Sequence, residues 1–481
     1  MLDMAVVGGR VVVDDRVEDG LSIGIAGGRI ASIARGGYLP SARETIDATG
    51  LHVLPGLIDP HTHPGNLRPF EEDVRLVTRS AAAGGFTTTL GTVKSTRLGG
   101  AFQAVAEPAD VVSYLERFAL AREIVEREAH VDVGLSFTIV TDRQAAEVPE
   151  YARRLGVRSF KFHPAGSPTP WHGRIGAPLA ADDGTLYLAL EGVASTGSLA
   201  MVHAENRQIA RVLLERHRAG ARADLGTWER TSPGTAEGSE ITWLAYLCRQ
   251  LGCAMYVAHL NSRAGLDAVR AARAAGTRIV AETCPQYLIH TFSEDPGNVL
   301  LKHTPPLRSP EDAEALWAAL ADGEIQCVGT DHVPNRLEEK RAGGDLWRAL
   351  SGSIEIETVL PLLLHFGVRA RRMTVAHLAR VLSGNAARAF GLSPRKGALA
   401  VGADADLTLV DLERTRTVTL AEMESRHETD YCTYEGWSLT GWPVLALARG
   451  RIVARDGAAV GDAGGRYLDR SAATLEVPGR S

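Results

Sequence analysis

Two textures of apolar and polar positions share the chain. Over residues 1–54, short stretches of period two, AVVGGRVVV, LSIGIAGGRIASIA and TIDATGLHVL, are separated by turn pairs such as Gly-Gly. That is how hairpin-linked strands read. The same texture returns over 396–481, in ADLTLVDL and PVLALARGRIVARDG. Between them, over 55–395, short apolar runs alternate with Ala- and Arg-rich stretches of helical period, such as ADVVSYLERFALAREIVERE and AGLDAVRAARAAG. Eight such runs stand out: VLPGLID, FTTTLGT, VDVGLSFTIV, VRSFKF, SLAMVH, CAMYVAH, TRIVAET and IQCVGTD. Eight strand–helix units are the count of a (β/α)8 barrel. The competing fold, an open doubly wound sheet, usually has fewer strands and a Gly-rich phosphate turn after the first, which this sequence lacks. The pattern therefore predicts an α/β protein. Residues 55–395 form a TIM-like (β/α)8 barrel, and residues 1–54 and 396–481 join into a small β-sandwich domain built from both ends.

Composition narrows the function classes. Lys plus Arg number 52 and Asp plus Glu 58, a net charge of −6. With no basic surplus to neutralise phosphates, a nucleic-acid partner is not expected. The apolar runs fall short of the ~20 residues of a membrane span, so no membrane is expected either. The first residues, MLDMAVVGGRVVVDD, carry acids where a signal peptide is apolar, which makes the cytoplasm the expected location. Cys248, Cys253, Cys284, Cys327 and Cys432 are odd in number, lie in or beside apolar stretches and form no C-x-x-C pair; they read as buried free thiols. The aromatic segment YCTYEGWSLTGWP reads as core or subunit packing, and the tail GDAGGRYLDRSAATLEVPGRS as partly loose.

Chemistry is concentrated at the strand ends. In the barrel reading His61 and His63 leave the first strand, Lys161 ends the fourth, His203 the fifth, His259 the sixth and Asp331 the eighth. Active sites of such barrels form on that carboxyl-terminal face, and four His, a Lys and an Asp converging there make a metal-ligand set. In His-x-His on an extended segment, both imidazoles point to one side. Singly, each histidine reads equally as a satisfied core or loop residue; the joint placement is what carries the metal reading. Lys161, inside the apolar run SFKF, needs a partner or a chemical change to be buried.

The segments PGLIDPHTH, SFKF, HAEN, AETCPQYL, TPPLR, GTDHVP and LSGNAARAFGLSPRKGALAVGADADLTLVD resemble the cyclic amidohydrolases. That branch of the amidohydrolase superfamily holds dihydropyrimidinase, hydantoinase, allantoinase and dihydroorotase. The likeness runs in order from about residue 5 to about residue 457. It implies a hydrolase that opens a cyclic amide or ureide ring by attack of a hydroxide bridging two divalent metal ions, usually zinc. Matched by motif, His61, His63 and Asp331 bind one metal and His203 and His259 the other. Lys161, carboxylated by CO2, bridges the two. Asp331 takes the hydroxide proton and passes it to the leaving nitrogen, as general base and then acid. Relatives of this kind imply a homo-oligomer, a dimer or tetramer, acting on a small molecule.

The substrate is less sharply marked. Dihydroorotases carry an Arg directly after the second His, where this chain has Pro64, and a bidentate carboxylate clamp is hard to replace. Arg68, four residues on, reads as a surface or loop residue. Hydantoinases and dihydropyrimidinases place a Tyr five residues after the carboxylated Lys to support the oxyanion; here that position is Gly166. His163, on the same side of the strand as Lys161, is the candidate substitute donor, with a solvated loop histidine as the plain alternative. By motif, Thr304 and, more loosely, Ser351 contribute substrate-binding backbone; Glu355 either faces the substrate or caps a turn. Trp171 and His172 either shape the pocket or pack on their own loop. Hydantoin and dihydropyrimidine rings come first and allantoin next, since allantoinases also lack the Tyr. A non-standard cyclic amide remains open. The reading of another class is a non-catalytic dihydropyrimidinase-related scaffold protein, which would have lost metal ligands that this chain keeps.

Overall fold

A computed structural model describes the 481-residue chain apart from residues 14, 37, 97–109, 164–179, 219–222, 353, 371, 372 and 479–481. The chain begins with seven short strands: β1 (Leu2–Val7), β2 (Arg10–Val13), β3 (Arg16–Glu18), β4 (Leu21–Ala26), β5 (Arg29–Arg35), β6 (Ala42–Asp47) and β7 (His52–Pro55). β5, β4, β1 and β6 form a four-stranded sheet in that order. Gly27 and Gly28, both with φ above +50°, make the tight β4–β5 turn that L-residues with a Cβ adopt poorly.

The barrel follows. Its strands are β8 (Leu57–Thr62), β9 (Phe86–Val93), β10 (Asp132–Thr138), β11 (Ser159–Phe162), β12 (Leu199–Val202), β13 (Ala254–Val257), β14 (Ile279–Thr283) and β15 (Cys327–Val328). All eight pair in parallel and in chain order. Each is buried on both faces, which is why these segments read as near-continuous apolar runs rather than as alternation. The first expected run, VLPGLID, is in fact two strands: β7 belongs to another sheet and β8 opens the barrel. The seam between β8 and the segment after β15 is bridged in parallel by Thr62 and His332.

Helices α1 (Phe70–Ala83), α2 (Phe118–Glu128), α3 (Asp142–Arg154) and α4 (Asp183–Thr196) follow the first four barrel strands in turn. The fifth is followed by α5 (Arg207–Arg218), α6 (Leu225–Thr231) and α7 (Gly234–Leu251), the sixth by α8 (Arg263–Ala274), and the seventh by α9 (Pro285–Ile289) and α10 (Pro310–Ala321). Thr141, Asp182, Ser262 and Ser309 accept a backbone N–H three residues on at the starts of α3, α4, α8 and α10, satisfying donors that a helix start leaves open. No helix among the described residues is long and apolar enough to cross a membrane.

After the barrel come β16 (Leu407–Thr417), β17 (Ser438–Ala448), β18 (Arg451–Arg455) and β19 (Ala458–Ala459). With β7, β2 and β3 they make a seven-stranded sheet in the order β19-β18-β17-β16-β7-β2-β3. The two ends of the chain meet where β7 pairs antiparallel with β16, Val53 opposite Leu409. One apolar cluster fills the space behind, drawing Met4, Val6, Ile23, Ile25 and Val53 from one end and Leu407, Leu409, Leu445 and Leu447 from the other. Lys396, 1% exposed, ties this sheet to the barrel through Asp132 (2.8 Å) and Asp406 (2.5 Å).

The five cysteines are free and buried. Tyr434, Cys432 and Trp442 of the aromatic segment pack in a core cluster with Ile354, Leu362 and Val418. The tail differs from the expectation of looseness. Val133 and Leu468 exchange backbone hydrogen bonds with the tail and barrel strand, Val133 N–H to Arg466 O at 2.9 Å and Leu468 N–H to Val133 O at 2.8 Å. Arg470 is 2% exposed, its guanidinium donating to Leu135 O and Phe390 O. Tyr467, Leu468 and Arg470 are the anchors hidden in a polar-looking stretch.

Candidate active site

All six expected ligands stand at one mouth of the barrel. His61 lies in β8 and His63 just past it; Lys161 lies in β11; His203, His259 and Asp331 follow β12, β13 and β15. His61, Lys161, His203 and His259 are each at most 2% exposed, while the His63 and Asp331 side chains retain 15% and 17%. They line one cavity together with Lys94, His163, Thr304 and Ser351.

Acidic groups behind the histidines set their orientation. Glu282 Oε1 lies 2.9 Å from His61 Nδ1 and accepts the His259 N–H at 2.9 Å, while its Oε2 accepts the Tyr256 hydroxyl at 2.7 Å. Glu205 Oε2 lies 3.0 Å from His203 Nε2. A neutral imidazole has one N–H. With that proton committed to a carboxylate, the other nitrogen turns a lone pair into the cavity. His61 Nε2 thus faces His63 Nε2 at 3.2 Å, and His203 Nδ1 faces His259 Nε2 at 2.9 Å. Asp331 Oδ1 sits 2.7 Å from His63 Nε2 and 3.4 Å from His61 Nε2. The ligand atoms of His61, His63 and Asp331 all lie within 4.8 Å of one another. Lys161 Nζ reaches to 3.2 Å from His61 Nε2, within reach of that group.

Burial sets the charge states. It pushes His63 and His203 down to about 4, and His163 and His259 well below the ordinary histidine value. The rings are therefore neutral at pH 7, the form that binds cations. Burial also pushes Lys161 down to about 8, against the pull of Asp331 and Glu282. For Asp331 burial works upward, but the adjoining imidazoles of His61 and His63 and the His63 hydrogen bond outweigh it, holding the carboxyl well below the usual range.

The backbone is shaped for the same end. His259 and Asp331 have φ of 41° and 50°, a left-handed conformation uncommon outside glycine. The Glu282 bond to the His259 N–H holds one; a clasp on Asp59 holds the other. Asp59 Oδ2 accepts the Thr330 hydroxyl at 2.5 Å, and Oδ1 accepts the N–H groups of His61 (3.1 Å) and Thr330 (3.2 Å). Strand ends one and eight are thereby fixed face to face. Gly329 leaves room for this: a Cβ there would come within 2.5 Å of Glu282 Oε2.

The remaining expected residues divide. His163, 5% exposed, stacks at 5.4 Å on the His203 ring. Thr304 Oγ1 and Ser351 Oγ lie 2.6 Å apart. Two buried lysines brace this pair: Lys302 Nζ donates to Ala349 O, and Lys340 Nζ to Lys302 O and Gly352 O, each at 2.6 Å. Glu355 is fully buried, does not line the cavity and accepts the Thr358 and Val359 N–H groups through its carbonyl, the turn role. Arg68 turns away to Asp73 and to Glu428 O. Gly166, Trp171 and His172 lie outside the described residues. Glu282, Glu205 and Asp59 were not singled out in the sequence, although an acid at the end of an apolar strand, as in TRIVAET, is the available signal. Glu282→Gln is expected to weaken divalent-metal affinity ~10–100-fold in a competitive chelator titration; unchanged affinity would mean that Glu282 does not orient His61.

This mouth, lined with lone pairs and closed by a carboxylate, belongs to a hydrolase barrel of the metal-dependent kind. Residues 52–453 match the Amidohydrolase family, and the chain belongs to that family. The allantoinase of Rubrobacter xylanophilus is 35% identical over 475 residues, covering 97% of both chains. The D-hydantoinase of Geobacillus stearothermophilus is 33% identical over 459 residues, covering 93% of this chain and 92% of that one. The crystal structure of dihydropyrimidinase from Brevibacillus agri superposes with a TM-score of 0.86 at 28% identity, covering 99% of this chain and 100% of that one.

Proposed function

We propose that this amidohydrolase opens a cyclic amide or ureide ring by hydrolysing a C–N bond, with hydantoin and dihydropyrimidine rings first. The observation that carries the reading is the convergence of four imidazole rings, Asp331 and Lys161 on one cavity. In this reading His61, His63 and Asp331 hold one divalent cation, zinc by preference, and His203 and His259 the second. Lys161, on adding CO2 at Nζ and losing a proton, would become a carbamate able to help hold both cations. When bound, such ions would lower the pKa of a water towards ~7 and polarise the carbonyl under attack. Asp331 Oδ receives the water's proton and returns it to the ring nitrogen as the C–N bond breaks. His163 offers an N–H to the carbonyl oxygen from the β11 side. Thr304 and Ser351 hold the ring from the opposite loops.

Two features bear on the ring. Pro64, at the position of the dihydroorotase arginine, packs against Gly91, where a Cβ would meet Pro64 Cγ at 2.7 Å; no clamp stands there. Allantoin is the second reading, favoured by the 35% identity to an allantoinase. We further propose a homo-oligomer, a dimer or tetramer. Tyr187 and Leu188 on α4, Val212 on α5 and Tyr246 on α7 are 36–54% exposed, and α7 packs against both α4 and α5. The five free thiols favour a reducing compartment, the cytoplasm.

The test is ring opening of dihydrouracil, hydantoin with and without a 5-substituent, allantoin and dihydroorotate by zinc- or manganese-loaded protein, with metal content measured in parallel. Turnover of one ring, abolished by chelator, is expected. Protein that binds no metal would sink the reading.

A further inference from the structure

Asp331 sits in the left-handed region, and a non-glycine residue stays there only when its surroundings over-determine it. The residues on both sides of it are pinned. Asp59 clasps Thr330. On the other side, Glu428 Oε2 accepts the Nε2–H of His332 at 3.1 Å. Glu428 belongs to the segment between β16 and β17, outside the barrel, and both it and His332 are fully buried. Its other oxygen accepts the Ser80 hydroxyl on α1, so the carboxylate is fixed from behind as well. The same segment follows the loop after β15: Thr429 donates its hydroxyl to Asn335 O at 2.7 Å, and Asp430 Oδ1 accepts the Leu337 N–H at 2.6 Å. It also reaches the loop after β8. Arg68 donates to Glu428 O and to Asp73 Oδ1, and Asp73 Oδ2 accepts the N–H of Gly65, two residues past His63. One strap thus serves both loops whose side chains, His63 Nε2 and Asp331 Oδ1, meet at 2.7 Å.

We propose that Glu428 is a positioning residue for Asp331: by holding His332 it aims the Asp331 carboxylate at His63 and at the proton to be carried. The inference rests on the ring-hydrolase reading, in which Asp331 is both ligand and proton carrier. Neither Glu428 nor His332 lines the cavity, so the effect passes through the backbone beside Asp331. A misplacement of ~1 Å at a reacting group costs ~100-fold in rate, which sets the scale of what a strap of this kind controls.

The variants are Glu428→Gln, His332→Gln and the two combined. Glu428→Gln keeps the shape but offers one acceptor oxygen where two donors point. The first readout is the visible absorption of cobalt-loaded protein, which follows the ligand geometry around the ion whether or not a ring is opened. Glu428→Gln is expected to change that spectrum at unchanged cobalt content. The second readout is turnover of the best ring substrate: kcat should fall about ten- to hundredfold while KM stays within about twofold. Because Glu428 acts through His332, the double variant should lose no more kcat than the worse single variant. Ser80→Ala, which frees only the far oxygen of Glu428, should shift spectrum and kcat in the same direction by less, and it carries the test if Glu428→Gln does not fold. A lowered thermal midpoint with spectrum and kcat unchanged would make Glu428 structural and overturn the proposal. So would losses that multiply in the double variant, or a changed spectrum with kcat intact. If wild type turns over a ring and Glu428→Gln matches it, the ring-hydrolase reading stands and the positioning role falls. If the cobalt spectrum changes as expected but wild type opens no ring, Glu428 still positions Asp331 and the ring-hydrolase reading falls.

Discussion

Asp331→Asn is expected to keep its metal and lose turnover by about 10²–10⁴-fold, the span of a general acid–base contribution. The substitution suits the site for a backbone reason as well as a chemical one. Asp331 sits at φ 50°, and Asn is among the few residues that tolerate that conformation, so the loop need not move. The amide oxygen keeps a ligand atom near the 2.7 Å contact with His63 Nε2. What disappears is the ability to accept a proton and hand it on. The measurements are kcat on the best ring substrate, metal content by elemental analysis and the thermal midpoint. Full activity with metal retained would remove Asp331 from proton transfer. Loss of metal together with activity would leave it as a ligand alone.

Lys161→Met is expected to strip most of the bound metal and take activity with it, while the fold survives. Lys161 is 1% exposed within a strand whose neighbours are apolar, and Met fills a similar volume without a charge. In the proposed chemistry the change removes the group that would help to hold both cations. Isotopically labelled bicarbonate should give a carbamate signal in wild type that is absent in the variant. A short carboxylate such as acetate, added to Lys161→Ala protein, should restore part of the metal content. If Lys161→Met binds metal as tightly as wild type and gives the same turnover, the bridging role is wrong.

The candidate ligands were legible because each is a polar residue ending an apolar run, and in a barrel all such ends meet. His61, His63, Lys161, His203, His259 and Asp331 declare themselves in this way, and the eight barrel strands, five of which carry them, follow from two-sided burial. The groups behind them are less visible. Glu282 acts through the tautomer of His61, 221 residues away, a relation that no local pattern encodes, whereas Glu205 stands only two residues after its histidine, His203. Asp59 looks like an ordinary turn acid until Thr330, from the other end of the barrel, is beside it. The break of VLPGLID between two sheets escapes a period-based reading because apolar character continues across it. The tail escapes for the converse reason: Gly and polar residues dominate it, while three side chains do the anchoring.

The pairing of β7 with β16 has a consequence for biosynthesis. His52–Pro55 leaves the ribosome early, yet its partner strand at Leu407–Val410 is about 350 residues downstream. Until that segment emerges, β7 presents an unpaired ladder edge, and such edges invite pairing with other chains. Contacts this distant in sequence also slow folding, because a long loop must close before they form. The seven-stranded sheet is therefore completed only near the end of translation, and truncated chains that lack β16 carry an open template for self-association.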